Sequence, residues 1–463
     1  MKTECEGGPM GGVSATDSTV LGDLFGTAAM RAVFSDLARV QAMLDVEAAL
    51  ARAEASTGVI PKDAAGPIEA ACRAEDYDFV ELGRLTAIAG NPAIPLVRML
   101  TARVAGDAKR YVHWGATSQD IIDSGTILQI RRGLDLLTAD LAAVADAAAR
   151  LADTHRETPM AGRTFLQHAL PIPFGYKAAV WLGLAARAYG RLTALRHRGV
   201  CLQFGGAAGT LASLGADGMK VAEALARDLD LPLPDMPWHS ARDRFADIGA
   251  AVAVAAGSMA KIATDIALMM QTEVGEVFEP AAEGKGGSST MPHKRNPVGA
   301  AAAIAAATQA EARVPILLAA LRTDHERGVG PWHAEWTALP EIFVLASGAV
   351  AHMRTALEGL TVDPQRMRDN LERTQGLIFT EAAMMALAPA IGRGAAHDKL
   401  EEASRHAIAA RHHLRDVLMA DRTVVDAIGA ERIERLFDPT SQMGSADTFI
   451  SRALDAWRKA RGA

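Results

Sequence analysis

The chain has 463 residues, long enough for two or three domains with a sizeable buried core, and 48 Lys+Arg against 55 Asp+Glu leave it at −7. No basic block is present, which argues against nucleic acid or any partner held by bulk electrostatics. Aromatic residues are only 5% while alanine is abundant, a balance that favours helices packed through small residues and predicts an all-α protein.

Residues 1–20 are rich in Gly, Ser and Thr without periodicity and read as a disordered extension with no apolar run of the signal-peptide kind. Residues 21–115 form a first helical domain. Here Val40, Met43, Leu44, Glu47, Ala48 and Ala51 recur at helical spacing until Gly58 and Pro61 stop the helix. Shorter helices follow to about Leu100. The segment 112–125, VHWGATSQDIIDSG, sets Thr117 and Ser118 ahead of Asp120, the pattern of a helix N-terminus. Free N–H groups and added hydroxyls make such a terminus a candidate carboxylate site, with His113 either at the substrate or bonded to backbone.

A long helix is expected from there to about Asp153, and Gly162–Pro171 (GRTFLQHALP) is expected to open another that runs to about Arg198. Gln203–Gly215 lacks phosphate-loop spacing and reads as close backbone packing near the site. A third long helix follows PWHSARDR. Arg242 and Arg244 lie at its positive dipole end and need acids, for which Asp243 and Asp247 are the nearest candidates. The longest apolar run, 248–260, is short of the ~20 residues that span a bilayer.

Residues 284–297, GKGGSSTMPHKRNP, break the alanine-rich pattern with three glycines and two prolines around two serines, two lysines and an asparagine. This composition reads as a loop that carries reactive groups and is hinged at defined places. Helices resume from Val298 to Leu321 and from Pro340 to Gly359, and RGVGPWHAEW between them reads as a helix–helix turn packed by its tryptophans. The divisions 116–363 and 364–463 are expected to be a central long-helix domain and a C-terminal helical domain. Histidines and acids show no ligand spacing, so no metal or cofactor is implied. Cys5, Cys72 and Cys201 are too few and scattered for a disulfide framework, which suits a reducing cytoplasmic setting.

The loop resembles the GSSxMPxKxNP signature of the fumarase/aspartase superfamily at every defined position, and HWGATSQD and GRTFLQH are similar to two further superfamily segments. The resemblance covers the chain from about Leu24. It implies a three-domain all-α fold with a long central helical bundle. It also implies a homotetramer with active sites shared between subunits and a small di- or tricarboxylate substrate. Ser288 would be the base acting on carbon beside a carboxylate, with Lys294 and Asn296 holding the resulting anion. Thr117, Ser118, His113, Gln167, His168 and Arg244 would line the substrate.

One position departs from the adenylosuccinate lyase branch. Where that branch has a general-acid histidine after the threonine, this chain has Phe165. A departing amine or hydroxide must be protonated, but a carboxylate with a pKa of about 4 leaves unaided at pH 7. The resemblance is nearest to a bacterial cycloisomerase branch in which the substrate's own carboxylate is the leaving group of the reverse reaction. A lyase that expels another stable anion such as nitrite, an adenylosuccinate lyase-like enzyme and a non-catalytic structural relative are the alternatives.

Overall fold

The structure is a computed structural model that describes Ser14, residues 17–281, Gly286, Met291 and residues 293–462. Its main helices are α1 (Asp36–Thr57), α2 (Ser118–Thr154), α3 (Phe174–Arg198), α4 (Asp243–Met269), α5 (Val298–Glu311) and α6 (Pro331–Glu358). An antiparallel hairpin, β1 (Pro159–Thr164) and β2 (Gln167–Pro173), lies between α2 and α3. The chain divides into two compact units, one comprising residues through Asp140 with Ala188–Ala260 and Ala302–His352, the other comprising the remainder.

In the first unit, Ser35 caps α1 by accepting from the Ala38 N–H, and Gly58, at φ 81, ends it in the left-handed conformation. The core draws Met43, Leu44 and Leu50 from α1, Ile127, Ile130 and Leu134 from α2, and Ile342, Phe343 and Leu345 from α6. On α2 the spacing of three and four residues places these on one face, whereas consecutive buried residues such as Met43-Leu44 and Ile342-Phe343 show α1 and α6 enclosed on more than one side. α6 begins at Pro331, nine residues before the expected start, and carries Pro340 inside it. Proline lacks the N–H that would bond the Trp336 carbonyl, and Arg39 Nη2 takes that carbonyl at 2.9 Å. The helix therefore continues through the proline.

In the second unit, Phe174 meets Trp181 edge-on at 5.7 Å, and the Trp181 indole donates to Asp265 at 2.8 Å. A separate cluster around Leu387, Leu400, Leu414, Leu418 and Phe437 forms the core of the C-terminal helices. Gly162–Pro171 is a hairpin and does not open α3. Pro171 and Pro173 cannot continue a helical ladder, so α3 starts only at Phe174. α4 is long and apolar enough to cross a membrane. Half of its most apolar window is buried, and Ile248, Val252, Ala256, Met259, Ile262 and Ile266 are fully enclosed, as in a core helix.

Candidate active site

In the first unit the site is built at the start of α2. Thr117 precedes the helix, and Asp120 reaches back to accept its N–H at 3.0 Å, one half of a capping box. The same buried carboxylate accepts from Gly205 and Gly206, both at 2.9 Å, from Gln203 at 3.2 Å, and bonds His239 Nε2 at 2.7 Å. Gly206 has φ 70, and a Cβ there would lie 3.0 Å from the Gly115 carbonyl, so the backbone approach needs glycine. The Gly-rich turn is thus packed against the helix start, as its composition suggested.

Arg327 completes this corner. Its Nη2 donates to the Thr117 hydroxyl at 3.0 Å and to the Ala207 carbonyl at 3.1 Å, while its Nε is buried without a partner. A guanidinium, a hydroxyl and a helix N-terminus at one point make an anion site. Ser118, half-buried, is the first residue of α2. His113, at φ 60, lies just ahead of it with Nδ1 2.6 Å from Glu47 Oε1. Burial pulls the His113 pKa down, but the charge and hydrogen bond of Glu47, helped by Asp120, outweigh it and the net shift is upward.

Behind this corner Arg242 is 1% exposed and holds Asp123 at 2.6 Å and Glu335 at 2.5 Å, while the Trp332 indole donates to Asp123 at 3.0 Å. The partners of Arg242 are therefore these distant acids. Asp243 and Asp247, nearer in sequence, are exposed. Arg244 is half-buried on the first turn of α4. Glu335 and its tryptophan neighbours are packing elements at the start of α6.

In the second unit, the β1–β2 turn is Phe165-Leu166, with φ 50 and 63, a two-residue turn that glycine or asparagine normally fills. Phe165 is fully exposed. Gln167 is exposed and His168 half-buried, with His168 Nδ1 buried and unpartnered. Burial, then the charges of Arg163 and Arg373, lower the His168 pKa against the pull of Glu276. Glu276, fully buried, receives both Arg163 amino groups at 2.9 and 2.7 Å and Asn370 at 2.8 Å.

Ser288 lies outside the described residues. The Asn296 N–H donates to the Gly286 carbonyl at 3.0 Å, and a Cβ on Gly286 would sit 2.8 Å from the Asn296 carbonyl. Lys294 is exposed and Asn296 half-buried. Glu279 accepts from the N–H groups of Gly299 and Ala300 at 3.1 and 2.8 Å and so caps α5 directly behind them.

Residues 25–311 match the family model described as lyase, and residues 376–453 match that of the adenylosuccinate lyase C-terminus. The chain belongs to this lyase family, the fumarase/aspartase superfamily. It is 53% identical over 447 residues to a 3-carboxy-cis,cis-muconate cycloisomerase of Bradyrhizobium diazoefficiens, covering 96% of this chain and 99% of that one. It is 42% identical to a nitrosuccinate lyase of Streptomyces davaonensis, with 95% of each covered. The crystal structure of the 3-carboxy-cis,cis-muconate lactonizing enzyme of Pseudomonas putida superposes with a TM-score of 0.91 at 48% identity, over 95% of this chain and 99% of that one.

Membership of the lyase family supports a carboxylate substrate, and the lyase fold places polar residues that the sequence did not single out. Arg327 sits in a Gly-rich connection 210 residues from Thr117, and no local spacing betrays it. Glu47 did leave a trace, as a lone acid on an apolar helical stripe.

Proposed function

We propose that this protein interconverts 3-carboxy-cis,cis-muconate and 4-carboxymuconolactone. In the lactonising direction a substrate carboxylate oxygen adds to the far end of the conjugated system. The carbon beside a second carboxylate takes a proton from Ser288, which is restored from solvent. Lys294 and the loop's backbone N–H groups would lower the serine's pKa, and Lys294 with Asn296 would hold the anionic intermediate. Thr117, Ser118 and Arg327 would bind one carboxylate at the α2 N-terminus, with His113, Gln167, His168 and Arg244 around the rest of the substrate.

The observation that carries this reading is Phe165. An apolar ring at the turn, where a lyase of amines needs an acid, suits a reaction whose leaving group is a carboxylate. The likeness to a nitrosuccinate lyase favours a second reading, because nitrite also leaves as a stable anion. Purified protein should bleach the diene absorbance of 3-carboxy-cis,cis-muconate, with the lactone identified by NMR, and should release little nitrite from nitrosuccinate. The reverse pattern would replace the first reading by the second.

The same proposal includes a cytoplasmic homotetramer with active sites shared between subunits, the threefold division of the chain, and no metal or cofactor. A fully exposed Phe165 ring supports the sharing, since it has no apolar cover within its own unit. Light scattering that finds a fully active monomer would defeat it.

A further inference from the structure

We infer that Glu47 is a positioning residue for the reaction, clamping the Nδ1 edge of His113 so that the ring presents Nε2–H to a substrate carboxylate. The inference rests on the reading above that His113 meets substrate.

The geometry is specific. Glu47 is 1% exposed, whereas 20% of the His113 side chain remains accessible, and the two join at 2.6 Å. Nδ1 is thereby occupied from the protein side, so the edge left to a ligand is Nε2. His113 also holds φ 60, a left-handed conformation that costs a non-glycine residue on the order of 1 kcal/mol or more. A short contact to a buried carboxylate is what keeps it there. In a neutral ring bonded this way Nε2 would carry a lone pair and repel a carboxylate. Only the imidazolium donates from both nitrogens.

The charges around Glu47 leave His113 as its counterion. Glu54, two turns along α1, is fully buried with both oxygens unpartnered, and burial, with the charge of Glu47 adding, pushes it up to about 9. Cys72 is pushed up to about 12 by burial, with Glu47, Asp45 and Glu69 adding and Arg52 opposing. Tyr77 is raised by burial, with Cys72, Asp76 and Glu47 adding and Arg103 opposing. All three are neutral at pH 7. Asp120, the other acid acting on His113, is held by its own four donors and His239. The second oxygen of Glu47 has no hydrogen-bond partner, so its charge is answered mainly by the imidazolium.

The test reads the titration of each histidine in the full-length enzyme from deuterium exchange of its C2 proton, followed by mass spectrometry, alongside kinetics on 3-carboxy-cis,cis-muconate. In Glu47→Gln the His113 midpoint should fall by about one pH unit or more, and KM near pH 7.5 should rise about tenfold while kcat changes less than about threefold. Glu47→Asp, which keeps the charge, should recover part of both and serves where the glutamine variant folds poorly. Glu54→Gln replaces a neutral acid by a neutral amide and should change midpoint and KM by less than about twofold. An unmoved His113 midpoint in Glu47→Gln would overturn the inference, as would Glu54→Gln behaving like Glu47→Gln. A lowered midpoint with unchanged KM would overturn the positioning role. No muconate turnover by the wild type would remove the functional reading, and the midpoint, read without substrate, would still decide the Glu47 contact.

Discussion

Arg242 and Glu335 meet at 2.5 Å with their side chains 0% and 2% exposed, and Asp123 holds the other side of the same guanidinium. One cation thus faces two buried carboxylates. If both ionise, one negative charge is left unbalanced. Burial accordingly pushes Glu335 up to about 7 despite Arg242, with Asp123 adding to the rise. The Arg242 pKa is pulled down by burial but raised on balance by the two acids.

The pH dependence follows from the sign of that shift. A carboxyl whose folded pKa is raised binds more protons folded than unfolded between about 4.5 and 7, so it lowers stability as pH rises through that window. The effect is of order 3 kcal/mol at most. Glu335→Gln removes it. The variant's melting temperature relative to wild type should therefore improve between pH 5.5 and pH 8, and a constant difference across that range would refute the assignment. Arg242→Met leaves two acids without their cation and should cost about 3–5 kcal/mol at pH 8.

Arg327 provides a test at the anion corner. Arg327→Lys keeps the charge but loses the planar guanidinium whose Nη2 reaches both Thr117 and Ala207, and KM should rise about tenfold with a smaller change in kcat. Arg327→Ala should raise it further. Steady-state kinetics with unchanged KM in both variants would remove Arg327 from the substrate's surroundings.

Ser288→Ala should lower turnover by at least about a hundredfold with little change in substrate affinity, the signature of a lost proton-transfer group. Near-normal turnover would move that role elsewhere, with His113 and His168 next in line.

Phe165→His would restore the acid that amine-expelling lyases use. Because a carboxylate leaves unaided, turnover of the muconate should not rise and is expected to fall, since a polar ring replaces an apolar one. Trace activity on adenylosuccinate would be consistent with this. A several-fold gain on the muconate would mean that protonation of the leaving carboxylate limits the rate.

Much of the helical frame was legible because it is written in short-range spacing. The apolar stripe of α1 stops at Gly58, and Thr117-Ser118 ahead of Asp120 marks the start of α2. The hairpin is not legible because Pro171 and Pro173, which look like the entry to a helix, are also tolerated within a strand of a two-stranded sheet, where both strands are edges. The Arg242 cluster was illegible for another reason. Its partners lie 119 and 93 residues away, and the acids beside it in sequence point to solvent. Pro340 misled because a proline inside a helix reads as a start unless a side chain such as Arg39 claims the carbonyl it frees.

The Phe165-Leu166 turn has a consequence for engineering. Both residues sit where asparagine and glycine are preferred, so Asn-Gly is the obvious stabilising replacement and would relieve strain of about 1 kcal/mol or more at each position. Selection for thermal tolerance alone would drift toward that pair. Under the proposed role of Phe165, selection for catalysis would hold that ring, and the turn is where the two pressures pull in opposite directions.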